Sequence, residues 1–191
     1  MSKLRRDSPG PAPAFPDLAA LLWTVRESLE LVLFKLVEVR LILTTGAARW
    51  LARADSELRA ALEDLHAVEV LRAVEVAELV RSLGGSAGAT LADLARAAPE
   101  PWPAMLAEHR SALAALLVEI ELVGDENRRL LSEEPADRAA QRSSASAAES
   151  SPAIDSHQRS TEVEASSRAS LQAALSTTSA IPQLSLRDFL A

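Results

Sequence analysis

Apolar residues fall at Leu18, Leu22, Val25, Leu29, Val32, Leu36, Val39 and Leu43, at steps that alternate four and three without a miss. This period places all eight on one stripe of an α-helix. It predicts a helix over 17–43 that packs along its length against other helices. Leu33, Phe34, Val37, Leu41 and Ile42 lie off that stripe, so the helix is expected to be covered on more than one side, by its own chain or by a partner. Thr44-Thr45-Gly46 then leaves two continuations open: one longer helix, or a turn and a second helix packed back. The stripe slips by about one residue across Gly46, which favours the turn.

A second helix is predicted over 48–83, with Leu51, Ala54, Leu58, Ala61, Leu65, Val68, Val76, Leu79 and Leu83 on its stripe and Arg72 as its one poor fit. Its other face is charged, with Arg53, Asp55, Glu57, Arg59, Glu63, Asp64 and Glu75. Gly84-Gly85-Ser86-Ala87-Gly88 ends it, because glycine tolerates the left-handed C-cap conformation. Thr90-Leu91-Ala92-Asp93 reads as a capping box opening a short helix over 91–97, which Pro99 and Pro101 close. A third long helix is predicted over 103–131, since proline is tolerated in a first turn. Its stripe is Leu106, His109, Leu113, Leu116, Ile120, Val123, Asn127 and Leu130. His109 and Asn127 thus put polar groups on the seam, where such residues set register and partner number at a cost in stability.

The pattern fades at both ends. Residues 1–16 are short and proline-rich and read as an unstructured lead. Between Pro135 and Ala180, 24 of 46 residues are Ser or Ala and none is aromatic, so this stretch is expected to be a disordered tether. Large apolar residues return at 181–191, where Leu184, Leu186, Phe189 and Leu190 form a candidate docking motif at the end of that tether. A weaker one lies upstream at Arg168 to Leu175. The alternative for the terminal motif is that it folds back onto its own bundle. The expected fold is all-α: an elongated antiparallel three-helix bundle or coiled coil, with a short connecting helix and a disordered Ser/Ala-rich C-terminal tail. The domains are 17–134 for the bundle, 135–180 for the tether and 181–191 for the motif.

Composition narrows the chemistry. The 191 residues contain no Cys and no Tyr, which excludes disulfides and thiolate sites. The formal charge is −7, and residues 17–134 carry 12 basic against 20 acidic side chains. An acidic body repels nucleic acid and anionic membrane. The apolar run at 31–43 contains Lys35, Glu38 and Arg40 and is too short for stable membrane insertion. Prolines 9, 11, 13 and 16 interrupt any apolar signal region after Lys3, Arg5 and Arg6, so a cytoplasmic protein is expected. Glu63 to His66 gives a single Glu-x-x-His with no second copy to complete a di-metal site. The glycines at 84, 85 and 88 follow a helix rather than a strand and lack the Lys-Ser/Thr of a phosphate loop. No catalytic residue, metal ligand or cofactor site is expected, and the protein is read as a non-enzyme.

The order of the parts resembles the FlgN family of flagellar type III export chaperones over roughly 29–131. It is carried by Leu36-Val-Glu-Val-Arg40-Leu-Ile-Leu43, by Gly46 leading into a charged helix, by Leu83-Gly84 and Ala89-Thr90-Leu91, and by Glu126-Asn127-Arg128-Arg129-Leu130-Leu131. Pro99-Glu-Pro-Trp102 and His109-Arg110 are similar to divergent versions from high-GC Gram-positive bacteria. The proline-rich start and the long Ser/Ala stretch depart from the pattern. The resemblance implies a chaperone in bacterial flagellum biogenesis that binds hook-associated proteins, keeps them from polymerising early and delivers them to the export gate. By the same analogy Leu184, Leu186, Phe189 and Leu190 are the first candidate partner-binding residues. Leu33, Phe34, Val37 and Leu41 join them from the apolar excess of the first helix, for which packing inside the bundle is the favoured alternative. The protein would act as a monomer or homodimer. A coiled-coil adaptor with no export role explains the helical seams equally well.

Overall fold

The computed structural model describes residues 15–133, 154–180 and 185–191. The described residues are almost entirely helical and include no strand. Four long helices make the body: α1 (Phe15–Thr45), α2 (Leu51–Ser82), α4 (Trp102–Ser132) and α5 (Ile154–Ala180). Two short ones, α3 (Leu91–Ala97) and α6 (Ser185–Leu190), lie at one end.

Helix α1 is the spine. Leu18, Leu22, Val25, Leu29, Val32, Leu36 and Val39 are all fully buried, and Leu43 is half-buried where the helix ends. Gly46 turns the chain: its φ is +68°, and the Ala47 N–H bonds the Ile42 carbonyl at 3.1 Å. A left-handed residue followed by that bond is the glycine cap that satisfies the last free carbonyls of a helix. Gly84 repeats the device at the end of α2, with φ +69° and Gly85 N–H on the Val80 carbonyl at 2.9 Å. Each cap reverses the chain, so α2 runs antiparallel to α1 and α4 runs beside α1 in the same direction. Lys35 ties α1 to α2, with its Nζ 2.7 Å from both Glu38 and Glu57. Those two carboxylates raise the Lys35 pKa, and Lys35 with Arg53 lowers that of Glu57. Arg40 reaches Glu126 on α4 at 3.1 Å.

Helix α3 begins at the capping box read from the sequence. Thr90 Oγ1 accepts from the Asp93 N–H at 3.2 Å, and Thr90 N–H donates to Asp93 Oδ2 at 3.1 Å. The Thr90 N–H and then Arg96 hold the Asp93 carboxyl below its usual range.

One part of the expected tail is different. Residues 154–180, expected within a disordered tether, form helix α5, which packs against both α2 and α4. Leu171, Ala174 and Leu175 are buried in the common core. The Ser/Ala composition conceals this, because among its described residues only three apolar positions are buried, with the polar Ser167 and Thr178 buried beside them. Many hydroxyls turn back onto the helix: Ser167 on Val163 O, Ser176 on Gln172 O and Thr178 on Leu175 O. Alanine is the best helix former, so a short apolar stripe with a groove to fill is sufficient. The three-helix bundle of α1, α2 and α4 is thereby extended by a fourth long helix. Of the expected unstructured lead, Phe15 and Pro16 instead open α1, with Phe15 buried in the core; residues 1–14 and the first part of the tether lie outside the described residues.

Candidate partner-binding site

The C-terminal helices occupy a face built by α2, α3 and α4. On α2 the row Asp55, Leu62 and Glu69, spaced by seven, is buried beside the main stripe. Asp55, expected on the charged outer face, is 7% exposed because α5 covers it. Ser170 Oγ donates to Asp55 Oδ2 at 2.5 Å, and Arg59 bridges the Asp55 carboxylate, the Ser170 carbonyl and the Ser170 hydroxyl. On α4, Gly124 lets α5 come close. A Cβ there would stand 3.3 Å from Thr178 Oγ1. An isolated glycine inside a helical pattern is a readable sign of close approach.

Helix α6 extends the same line of burial, lying against α3 and α4. Leu186, Phe189 and Leu190 are buried, so the candidate docking motif is seated on its own bundle. Leu184 lies outside the described residues. Arg110 on α4 donates to the Leu190 carbonyl at 2.7 Å and to the Ala191 main-chain oxygen at 2.8 Å. Arg187 pairs with Glu121 at 2.8 Å, with both side chains about half exposed.

Arg72, the poor fit on the α2 stripe, is explained here. It is 2% exposed, paired through two bonds of 2.9 and 3.0 Å with Glu69, and its guanidinium lies 4.5 Å above the Phe189 ring. The arrangement combines a forked ion pair with a cation–π contact, both strengthened by exclusion of water. A groove of about 500 Å³ remains open beside Phe189, between the end of α2 and the glycine loop.

The candidate residues on α1 do not share this site. Leu33 and Val37 pack against the core, while Phe34 and Leu41 are each 56% exposed. The set therefore divides into interior packing, an open face of α1 and a seated terminal motif.

The two seam polar residues both lie between α1 and α4. Asn127 is fully buried. Its Nδ2 donates to the Leu36 carbonyl at 2.8 Å, and its Oδ1 has no hydrogen-bond partner. Replacing Asn127 by the similarly sized Leu removes a half-satisfied amide from the core. Unfolding in urea is expected to show a gain of about 1–2 kcal/mol. A loss would mean that the amide contributes more than its single bond to Leu36.

His109 is buried edge-on against the Trp23 ring, with centroids 5.3 Å apart at 88°. Burial pushes its pKa below the ordinary 6.5; Glu108 opposes the shift and Arg26 adds to it. The unfolded chain therefore takes up the proton first as pH falls. His109 destabilises the fold progressively below about pH 6.5, and the loss stops below its folded pKa. The melting temperature is expected to drop between about pH 7 and pH 5, and His109→Gln should flatten that part of the profile. An unchanged slope would remove His109 as its cause.

His66 is exposed, and among the described residues no group of three or more His, Cys, Asp or Glu is placed to hold a metal. No described helix is long and apolar enough to cross a membrane. No family model, no curated protein and no solved structure matches the chain.

Proposed function

We propose that this protein is a non-enzymatic chaperone of the flagellar export type. It binds an apolar helical segment of a hook-associated protein, keeps that segment from polymerising and presents the client to the export gate. The observation that carries the reading is the face formed by α2, α3 and α4, on which two short apolar motifs of the chain itself lie as helices. Such a face suits a helix laid in a groove, where each well-buried Leu or Phe contributes roughly 1.5–3 kcal/mol before ordering costs. The sequence resemblance over 29–131 supplies the class of client.

A second reading, a helical adaptor with no export role, is favoured by the seating of Phe189 in its own bundle, which leaves the motif engaged without a partner. The two separate in a pull-down of the full-length protein, and of its Leu186→Ser/Phe189→Ser variant, against hook-associated proteins, with light-scattering mass on any complex. Capture of a defined stoichiometric complex supports the chaperone. Capture by neither form leaves the adaptor.

A further inference from the structure

The two seated motifs share one pattern. Leu171, Ala174 and Leu175 stand at i, i+3 and i+4, and so do Leu186, Phe189 and Leu190; all six are buried. Their surroundings match as well. Arg128 donates to the carbonyl of Leu175, the last residue of the first motif, at 2.9 Å. Arg110 donates to the carbonyl of Leu190, the last residue of the second, at 2.7 Å. Arg110 and Arg128 are 18 residues apart on α4, five helical turns, and so lie on one face of it. Helix α4 thus presents the same clamp twice, each time to the carbonyl of the last residue of a buried i, i+3, i+4 motif: inside the long helix α5 at Leu175, and at the end of the short helix α6 at Leu190.

We propose that this face is a two-seat receptor for apolar i, i+3, i+4 helical segments, and that α6 is an exchangeable occupant of the second seat. Its replacement is the corresponding amphipathic segment of a partner protein, with a basic residue after the first apolar position to meet Glu121. This names the segment class bound by the chaperone proposed above and rests on that reading.

Three observations distinguish the second seat from the first. The occupant of the first belongs to a 27-residue helix that is also held by Ser170 on Asp55, Arg59 on Ser170 and Arg168 on the Leu131 carbonyl. The occupant of the second is a six-residue helix. Of its polar holds, the Arg110 bonds reach only main-chain oxygens, of Leu190 and Ala191, and the Arg187–Glu121 pair is half exposed, where an ion pair contributes little. A clamp on carbonyls accepts any helix that presents them, so selection falls to the three apolar positions and to the charge facing Glu121. The groove beside Phe189, between Arg72, Val76, Val80 and Asp188, has room for a bulkier apolar side chain than the chain itself supplies.

The test uses two labelled peptides and the full chain. One peptide is residues 181–191. The other keeps only Leu186, Arg187, Phe189 and Leu190 and replaces the remaining positions by Ala and Gln. The hosts are the wild-type chain, a Leu186→Ser/Phe189→Ser variant that releases α6, and an Arg187→Glu variant that sets like charges together at Glu121 with the apolar residues intact. Because a closed seat lowers apparent affinity by the fraction that is open, both peptides are expected to bind the Leu186→Ser/Phe189→Ser host at least about tenfold more tightly than wild type, and the Arg187→Glu host by a smaller factor, since the exposed pair it reverses contributes little. Adding Arg110→Gln should remove about tenfold of that gain. Equal affinity for all hosts, or loss of binding by the pattern-only peptide, overturns the proposal. So does a released variant that dimerises and takes neither peptide, since the occupant would then be a second copy. No flagellar protein enters this experiment. Peptide binding with a failed pull-down would retain the receptor and dismiss the flagellar client, and the reverse would move the client contact elsewhere.

Discussion

Replacing Arg72 by Ala is expected to cost about 3–5 kcal/mol of stability. The substitution leaves Glu69, 5% exposed, without the two charge-assisted bonds of 2.9 and 3.0 Å that Arg72 gives it. A carboxylate stranded in that position meets the desolvation cost in full. The variant also removes the cation lying 4.5 Å above Phe189, so α6 loses the cover of its largest side chain. Urea unfolding should show the midpoint falling with the slope unchanged. Substituting both partners, Glu69→Leu with Arg72→Met, should recover most of the loss, because an apolar pair of similar volume leaves no charge behind. If Arg72→Ala costs less than about 1 kcal/mol, Glu69 reaches water and this end of the groove is not sealed.

The second large effect is expected at the first seat. Leu171 and Leu175 are both fully buried, and large-to-small changes at such sites cost about 2–5 kcal/mol each where the surroundings fail to collapse. Here the loss has a ceiling. Helix α5 has little helical stability of its own, being mostly Ser, Ala and Thr around a narrow apolar stripe, so once its docking fails it leaves as a unit. The Leu171→Ala/Leu175→Ala variant should therefore lose the helical circular-dichroism signal of α5, up to its 27 residues. Urea unfolding of the rest, α1 against α2 and α4, should remain cooperative. Collapse of the whole fold would instead show that α5 and the three-helix body are one cooperative unit.

The sequence made the body legible where short-range rules decide it. The four-three steps from Leu18 to Val39 define the buried stripe of α1 because one helix face is enough to specify them. Gly46 and Gly84 mark the chain reversals because a positive φ is needed there, and Thr90 with Asp93 marks the start of α3 through bonds spanning three residues. The terminal motif could be picked out as apolar, but its seat could not, since three elements distant in sequence build it. Arg72 looked like a misfit on its stripe because the partner that accounts for it, Phe189, lies at the other end of the chain. Helix α5 was hidden by composition. Its intrinsic pattern is weak, and the burial of Leu171 and Leu175 exists only in contact with α2 and α4. Gly124, Arg110 and Arg128 carried signals of their own, a glycine inside a helix and two arginines on one face, which acquire meaning only once something lies against them.

A receptor face on this bundle requires that the C-terminal motifs be seated on the bundle that carries them. Hydrogen exchange on the full-length protein, read on peptides covering 171–178 and 186–191, tests this most directly. Slow exchange is predicted in both, with Phe189→Ala releasing the second while the first and the interior of α1 keep their protection. Exchange of both peptides at the rate of an unfolded chain, in a protein whose α1 and α4 are protected, would contradict it.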